Sequence, residues 1–220
     1  APLTHAIPLP AATLHQGRQP AYLVTTALAA AWEPAAILLW LPLPAPEVAA
    51  GRAAVAAAIK AASAAASTHA GAAPPPDRPI VGYFGHATGL KALEPSWWSR
   101  FWAAFLALHP QVIPVEFLPG ATAAPTVAGF ATLHLPSQRQ LTATIASLQL
   151  FISADAGPMH LASTTDTPTM GLFQATDPSL YGPLKPVDRS FQVARLTPEA
   201  VAAQVSAAWS GAVARPGCSV

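Results

Sequence analysis

The sequence predicts an α/β protein with a Rossmann-like, doubly wound parallel sheet, and two observations carry this prediction. After residue 76, short runs of apolar or β-branched residues alternate with segments of helical length. Strands and helices that alternate in this way build a parallel sheet with helices on both faces. Helix-start signals between the runs are the second observation, because Ser96, Ser137 and Thr197 each place a hydroxyl where a helix would begin.

The elements follow from these two patterns in chain order. Strands are predicted at 80–84, 112–118, 131–135, 149–153, 168–173 and 190–194. Helices are predicted at 96–108, 137–147, 158–165 and 198–214. Pro114 lies inside the second strand and either weakens it slightly or places it near an edge of the sheet, because proline cannot donate to a ladder. The aromatic residues of 97–105 fall at helical spacing and predict a core face.

The chain before residue 76 has a different composition. Alanine is the strongest helix former, so a helix is predicted at 47–66, ended by Pro74 to Pro76, although a low-complexity linker remains an open alternative. A further helix is predicted at 16–31 and a short apolar stretch at 36–41. The predicted division is therefore 1–50, an Ala/Pro-rich helix and linker at 51–78, and the α/β domain at 79–220.

Composition and charge exclude several classes of protein. With 52% hydrophobic and 10% charged residues the chain is not a disordered one. Its 11 Lys and Arg residues are scattered and its net charge is +1, so no nucleic-acid partner is expected. Cys218, the only cysteine, allows no intrachain disulfide and no cysteine-based zinc cluster, which fits a cytoplasmic protein. No signal peptide is recognised, and the apolar run 35–46 is too short to span a membrane.

One stretch, "FISADAGPMH" at 151–160, ends an apolar strand on Asp155 and begins a helix near Pro158. Gly157 allows a close backbone approach, and the first helical turn offers N–H groups to an anion such as a diphosphate. Asp155 would then hydrogen-bond ligand hydroxyls and His160 a phosphate oxygen. The alternative, that Asp155 only caps the helix and His160 packs in the core, remains open at this point.

Two further stretches follow strands that would end at the same edge. The sequence "GYFGHATGLKALEPSWW" at 82–98 contains Lys91, whose flexible ammonium suits a phosphate, and the weaker candidates Thr88 and His86. A solvated loop lysine is the competing interpretation. The stretch "LFQATDPSLYGP" at 172–183 places Thr176 in a proline-punctuated loop, among ordinary turn-forming residues.

The sequence "SADAGPMHLASTTDTPTMGLFQATDPSLYGP" resembles the signature of the glycosyltransferase family that includes the ADP-heptose:lipopolysaccharide heptosyltransferases. That family typically reads Asp-Thr/Ser-Gly-Pro-Met-His-Leu-Ala, then Gly-Thr-Pro, then Leu-Phe-Gly-Pro-Thr-Asp-Pro. The 82–98 stretch is similar to its loop with a donor-binding lysine before a Trp-containing helix. The chain departs from the pattern at Ala156, Asp166 and Gln174-Ala175.

The resemblance implies the C-terminal, donor-binding half of a GT-B fold with an incomplete N-terminal portion. It implies a nucleotide-diphosphate sugar donor, with ADP-heptose expected, a saccharide or lipid-linked acceptor, no cofactor and no metal. A lipid-linked acceptor would bring peripheral association with the inner face of the cytoplasmic membrane. Carried over by residue, the donor-binding set is Thr88, Lys91, Asp155, Ala156, Gly157, Pro158, Met159, His160 and Thr176.

The resemblance assigns no catalytic residue to this chain. In the family, the N-terminal acceptor domain opens with a Gly-rich strand–helix turn and supplies an aspartate as the proposed base, and nothing in 1–76 is similar to that opening. Residues 1–50 instead resemble the tail of that domain and its crossover into the linker, so they are expected to be a remnant of it. Glu116 lies too early in its strand to be assigned as the acid that holds the nucleotide ribose. Two hypotheses follow, an inverting glycosyltransferase and a nucleotide-sugar binding module without turnover. A third is an α/β domain that shares the fold and binds another ligand.

Overall fold

The computed structural model describes residue 7 and residues 14–28, 40–66 and 78–213. Within these ranges the helices are α1 Gln19–Ala27, α2 Ala45–Ala66, α3 Pro95–Leu108, α4 Gln138–Ile145, α5 Gly157–Ala162, α6 Pro178–Tyr181 and α7 Pro198–Val213. The strands are β1 Ile80–Phe84, β2 Ile113–Phe117, β3 Ala131–Leu133, β4 Leu150–Ala154, β5 Thr169–Phe173 and β6 Arg189–Gln192. Two 3₁₀ turns cover Gln16–Arg18 and Gly89–Lys91.

The six strands form one parallel sheet in the order β3-β2-β1-β4-β5-β6. This is the order of the doubly wound dinucleotide-binding fold, in which the chain winds outward from the centre in both directions. Pro114 is tolerated in β2 because β3 pairs only with Val115 to Phe117, so no strand lies opposite the proline on that side. The predicted α/β class and the parallel sheet are therefore confirmed.

Alternation along the central strands divides their side chains between two cores. Val81 and Tyr83 of β1 face the layer formed by α3 and α7, where Trp98, Phe101, Trp102 and Phe105 are fully buried. The aromatic side chains of 97–105 thus form the core face that the sequence predicts. Arg100 and Glu199 join the two helices at the surface through two hydrogen bonds of 2.9 Å.

The opposite face of the sheet is covered by α2, α4 and α5. Val55 and Ile59 of α2 pack with Phe117 and Phe151 of the strands. Gly51 allows α2 to cross α4 closely, because a Cβ built there would lie 2.5 Å from the Cα of Thr144. The segment before β1 therefore shares a core with the strands, while the predicted division of the chain near residues 50 and 78 stays a prediction.

The helix-start signals give mixed outcomes. Thr197 caps α7, since its Oγ1 accepts a hydrogen bond from the N–H of Ala200 at 3.3 Å. Ser137 occupies the cap position of α4 without a side-chain cap bond. Ser96 is wrong as a cap: α3 begins at Pro95 with Glu94 in the cap position, because proline at the first turn already fixes the helical φ.

The Ala-rich segment forms the predicted helix over Ala45–Ala66, which decides against a linker for those residues. Of the described helices, α2 alone has the length and composition of a membrane span, with a mean hydropathy of 1.3 over Ala45–Ala65. Its buried Val55 and Ile59 pack on the sheet, and exposed alanines supply much of the remaining hydropathy. The connector Pro74 to Pro76, and most of the apolar stretch at 36–41, lie outside the described residues.

Candidate functional site

The strand order places a topological switch point between β1 and β4. From β1 the chain winds outward through β2 and β3, and from β4 it winds the other way through β5 and β6. Ligands of open α/β sheets bind beyond the carboxyl ends of the two strands that flank such a point. The loop after β1 carries Lys91, and the turn after β4 begins at Asp155, so the topology brings two of the sequence-predicted stretches together.

Asp155 is the centre of a cluster at this edge. Its side chain is 5% exposed, and its Oδ2 lies 3.5 Å from the ammonium nitrogen of Lys91. Oδ2 also accepts a hydrogen bond from Thr176 Oγ1, which follows β5. No group in the described part of the chain donates to Oδ1, so this oxygen keeps its full acceptor capacity. The three stretches predicted separately from the sequence therefore meet at one carboxylate.

This geometry decides two alternatives that the sequence leaves open. The cap position of α5 is Ala156, which makes no side-chain cap bond, so Asp155 is not a helix cap. The side chain of Lys91 is 35% exposed and paired with Asp155, so it is not a freely solvated loop lysine. Thr88 lies at the cap position of the 3₁₀ turn that carries Lys91, and its side chain is exposed.

The turn into α5 is open, and α5 itself is shorter than the sequence predicts. The helix ends at Ala162 rather than near residue 165. A Cβ built on Gly157 would meet no atom within 4 Å, and the N–H groups of Ala156 and Gly157 find no acceptor among the described residues. Pro158, half-buried, has no N–H to offer. Met159 is buried and its N–H donates to the carbonyl of Ala156 at 3.1 Å, so this residue is a packing element of the turn.

His160 is half-buried and lines a cavity of about 240 Å³ with His15, Ser163 and Tyr181. Burial lowers the pKa of His160, against the opposing charge of Asp155. His15 holds the segment before α1 on this cavity: its Nδ1 accepts from the N–H of Gly17 at 3.0 Å, and its Nε2 donates to the carbonyl of Gly182 at 2.8 Å. The Nδ1 contact requires a neutral ring, in agreement with a His15 pKa that burial lowers.

A second buried carboxylate, Glu116 of β2, lies on the other side of β1 and was not assigned from the sequence. It is fully buried, and its oxygens accept from Tyr83 Oη at 2.7 Å and from the N–H and Oγ1 of Thr126 at 2.9 and 2.8 Å. His86 Nε2 lies 3.3 Å from Glu116 Oε1. Burial and the Glu116 charge raise the pKa of Tyr83, which keeps its hydroxyl protonated as a donor.

A third polar cluster, also missed, fastens the loop after β5 to α5. Lys185 donates to the carbonyls of Ala162, Thr165 and Thr167, at the carboxyl end of α5 and just beyond it. Its pKa is lowered by burial, with Asp188 opposing that shift. Asp188 in turn accepts from Ser163 Oγ and from the N–H of Thr169, both at 2.9 Å. Among the described residues no group of three or more His, Cys, Asp or Glu side chains is placed to hold a metal ion.

Comparison with known proteins identifies the segment that carries much of this site. Residues 130–207 match the family model for glycosyltransferase family 9 (heptosyltransferase). We refer to these residues as the family 9 segment, because they are similar to that family. A stretch of 55 residues is also 38% identical to the lipopolysaccharide core heptosyltransferase OpsX of Haemophilus influenzae, covering 25% of this chain and 16% of that protein.

Solved structures extend the similarity of fold beyond the family 9 segment. The E. coli ADP-heptose lipopolysaccharide heptosyltransferase II matches with a TM-score of 0.55 and 17% identity, over 80% of this chain and 54% of its own. A family 9 glycosyltransferase from Veillonella parvula matches with a TM-score of 0.59 and 16% identity, over 94% and 62%. These neighbours are GT-B proteins, so the predicted Rossmann-like half of a GT-B fold is confirmed. The chain spans between about half and two thirds of their length.

The family 9 segment contains only part of the site. Asp155, His160 and Thr176 lie inside 130–207, whereas Lys91 and the Glu116 cluster lie before it. The departures from the family pattern at Asp166 and Ala175 are exposed, and Ala156 and Gln174 are half-buried. Asp166 therefore sits at the surface, where it changes the local charge without changing the core.

Proposed function

We propose that this chain forms the donor-binding part of a heptosyltransferase-like enzyme and binds a nucleoside diphosphate sugar at the carboxyl edge of β1, β4 and β5. The observation that carries the proposal is the convergence of Lys91, Asp155 and Thr176 at the switch point of a chain with a family 9 segment. ADP-heptose is the proposed donor.

The chemistry of each group supports this division of roles. Lys91 is a compact cation on a flexible stem, partly exposed, and can turn from the carboxylate to a diphosphate. Asp155 keeps one oxygen for sugar hydroxyls, a role that suits a carboxylate better than contact with phosphate. The open space at Gly157, with two N–H groups lacking described acceptors, supports the approach of the phosphates to the turn.

The relatives support the ligand class. The E. coli heptosyltransferase WaaC was solved with ADP and matches this chain with a TM-score of 0.50 and 21% identity, over 61% of this chain and 46% of its own. OpsX is named for the lipopolysaccharide core, which supports a lipopolysaccharide-type acceptor. In this proposal the protein works in the cytoplasm, at the inner face of the membrane where its acceptor is lipid-linked.

The proposed reaction is an inverting transfer in which an acceptor hydroxyl displaces the nucleoside diphosphate. Lys91 would offset the charge that develops on the departing diphosphate, an electrostatic contribution made where the charge appears. The base that deprotonates the acceptor is assigned to none of the described side chains. A binding module without turnover would use the same donor site, so donor binding tests the site itself.

Isothermal titration of the full chain with ADP and with ADP-heptose tests the proposal. Lys91→Met should weaken both ligands by roughly 10- to 150-fold, the usual value of a hydrogen bond to a charged group. Asp155→Asn should weaken the binding of ADP-heptose more than that of ADP, because ADP has no heptose for Asp155 to contact. In this variant Lys91 also loses its carboxylate partner and is freer to bind the diphosphate of either ligand. Lys60→Met and Asp166→Asn, both at exposed positions, are the matched controls.

Two results would contradict the proposal. One is a wild-type chain that binds neither ligand. The other is that Lys91→Met and Asp155→Asn both bind ADP-heptose as tightly as the two controls. A transfer assay with a lipopolysaccharide-type acceptor then separates an enzyme from a binding module, since only the former forms product.

A further inference from the structure

A second polar side chain lies at this edge of the sheet, at the carboxyl end of β1. His86 follows that strand by two residues, on the side of the switch point away from Asp155. Its side chain is 25% exposed, whereas the carboxylate of Glu116 beneath it is fully buried. The imidazole therefore lies between a buried acceptor and the open edge of the sheet.

The buried side of the ring is defined by Glu116. Nε2 is inaccessible to water and makes no aligned hydrogen bond, and it lies 3.3 Å from Glu116 Oε1. A carboxylate only accepts hydrogen bonds, and two acceptors at this separation would repel, so the ring proton of a neutral imidazole belongs on Nε2. Tyr83 and Thr126 fix the carboxylate in place with their own donors, which leaves Glu116 little freedom to turn away.

The other ring nitrogen is the one that can meet a ligand. With the proton on Nε2, Nδ1 carries a lone pair and accepts hydrogen bonds. No described residue donates to Nδ1, which lies on the solvent-accessible side of the ring. Phosphate oxygens of a diphosphate are acceptors and do not suit this position, whereas the hydroxyl groups of a nucleoside donate to it.

We propose that His86 is a donor-binding residue whose Nδ1 accepts a hydrogen bond from a nucleoside hydroxyl, and that Glu116 is the positioning residue that orients it. The inference rests on the proposed function, because it assumes a nucleoside diphosphate at this edge. It adds a contact for the nucleoside, separate from the Lys91 and Asp155 contacts with diphosphate and sugar.

Paired substitutions separate binding from packing. In His86→Asn the side-chain amide lies near the position of Nδ1, and in His86→Gln it reaches the position of Nε2 beside Glu116. Titrations of the full chain with ADP, adenosine and pyrophosphate, alongside the control His134→Ala at the end of β3, give the affinities. Buried Trp98, which donates to the carbonyl of Gly85 beside His86, supplies a fluorescence signal for the fold.

The expected result is that His86→Ala and His86→Gln weaken ADP and adenosine by roughly three- to tenfold, the value of one neutral hydrogen bond. His86→Asn should retain most of the affinity, pyrophosphate binding should not change, and the control should match wild type. The inference is overturned if His86→Gln restores binding and His86→Asn does not, because the ring then acts only on Glu116. It is also overturned if the His86 variants weaken pyrophosphate binding as much as ADP binding, or if His86→Ala does not change the affinity for ADP. A wild type that binds no ADP contradicts the proposed function as well.

Discussion

Lys185 offers the sharpest test of how the site is held together, through the substitution Lys185→Met. The lysine side chain is 12% exposed and that of Asp188 is fully buried. The ammonium donates to three carbonyls around the end of α5 and lies 3.5 Å from Asp188 Oδ1. Methionine keeps the apolar stem and removes the donors, so the three carbonyls and the carboxylate lose their common partner.

The magnitude follows from what remains. Breaking a buried ion pair by removing one partner costs about 3–5 kcal/mol. Asp188 still accepts from Ser163, Thr169 and the backbone N–H of residue 185, so we expect the lower end, about 3 kcal/mol. For a protein of this size each kcal/mol lowers Tm by roughly 2–4 °C, which gives a decrease of about 6–12 °C.

Urea unfolding followed by tryptophan fluorescence measures this loss, because Trp98 and Trp102 are fully buried and report on the core. Lys60→Met, the same substitution at an exposed position of α2, should change the free energy of unfolding by less than about 0.5 kcal/mol. A Lys185→Met loss below about 1 kcal/mol, with an unchanged m-value, would refute the reasoning: the cluster would then contribute little to the stability of the loop that carries Thr176.

Three other predictions concern single positions. Burial lowers the pKa of His15 from 6.5, so the stability it contributes is present above pH 6.5 and is lost as pH falls through its folded-state pKa. The variant His15→Gln keeps a donor for the carbonyl of Gly182, and its free energy of unfolding, measured from pH 7.5 to 5, should depend less on pH than that of the wild type. Gly51→Ala should cost about 1–2 kcal/mol in urea unfolding despite its better helix propensity, since the methyl group meets the backbone of Thr144. Gly157→Ala should change the free energy of unfolding by less than about 0.5 kcal/mol, because its methyl group fills only open space. It should weaken ADP binding in isothermal titration, because the methyl group occupies the space that the phosphates are proposed to approach. Equal ADP affinities of variant and wild type would exclude that approach.

Local pattern was sufficient to predict the elements of the sheet. The run at 80–84 forms β1 with the same bounds, because the turn-forming residues on either side limit an apolar strand sharply. The run at 131–135 forms only Ala131–Leu133, and the run at 190–194 forms the largely exposed edge strand Arg189–Gln192. Edge strands pair on one side only, so their ends depend on tertiary contacts that a single sequence does not display.

The site was predictable where its residues follow strand ends. Lys91, Asp155 and Thr176 were found because parallel strands bring their carboxyl ends to one edge. Glu116 and His86 were not paired, since their contact depends on the register of β1 and β2, which sets Tyr83 beside Glu116. Lys185 was missed for a similar reason: its partners are backbone carbonyls, and no residue type in the sequence marks them.

The position of α2 has a consequence for anyone who shortens this protein. A chain that began at residue 79 would keep all six strands together with α3 and α7. It would lose α2, one of the three helices that cover the core of Val115, Phe117 and Phe151, and would expose part of this apolar face to water. We expect such a truncation to self-associate even where the proposed donor site stays intact.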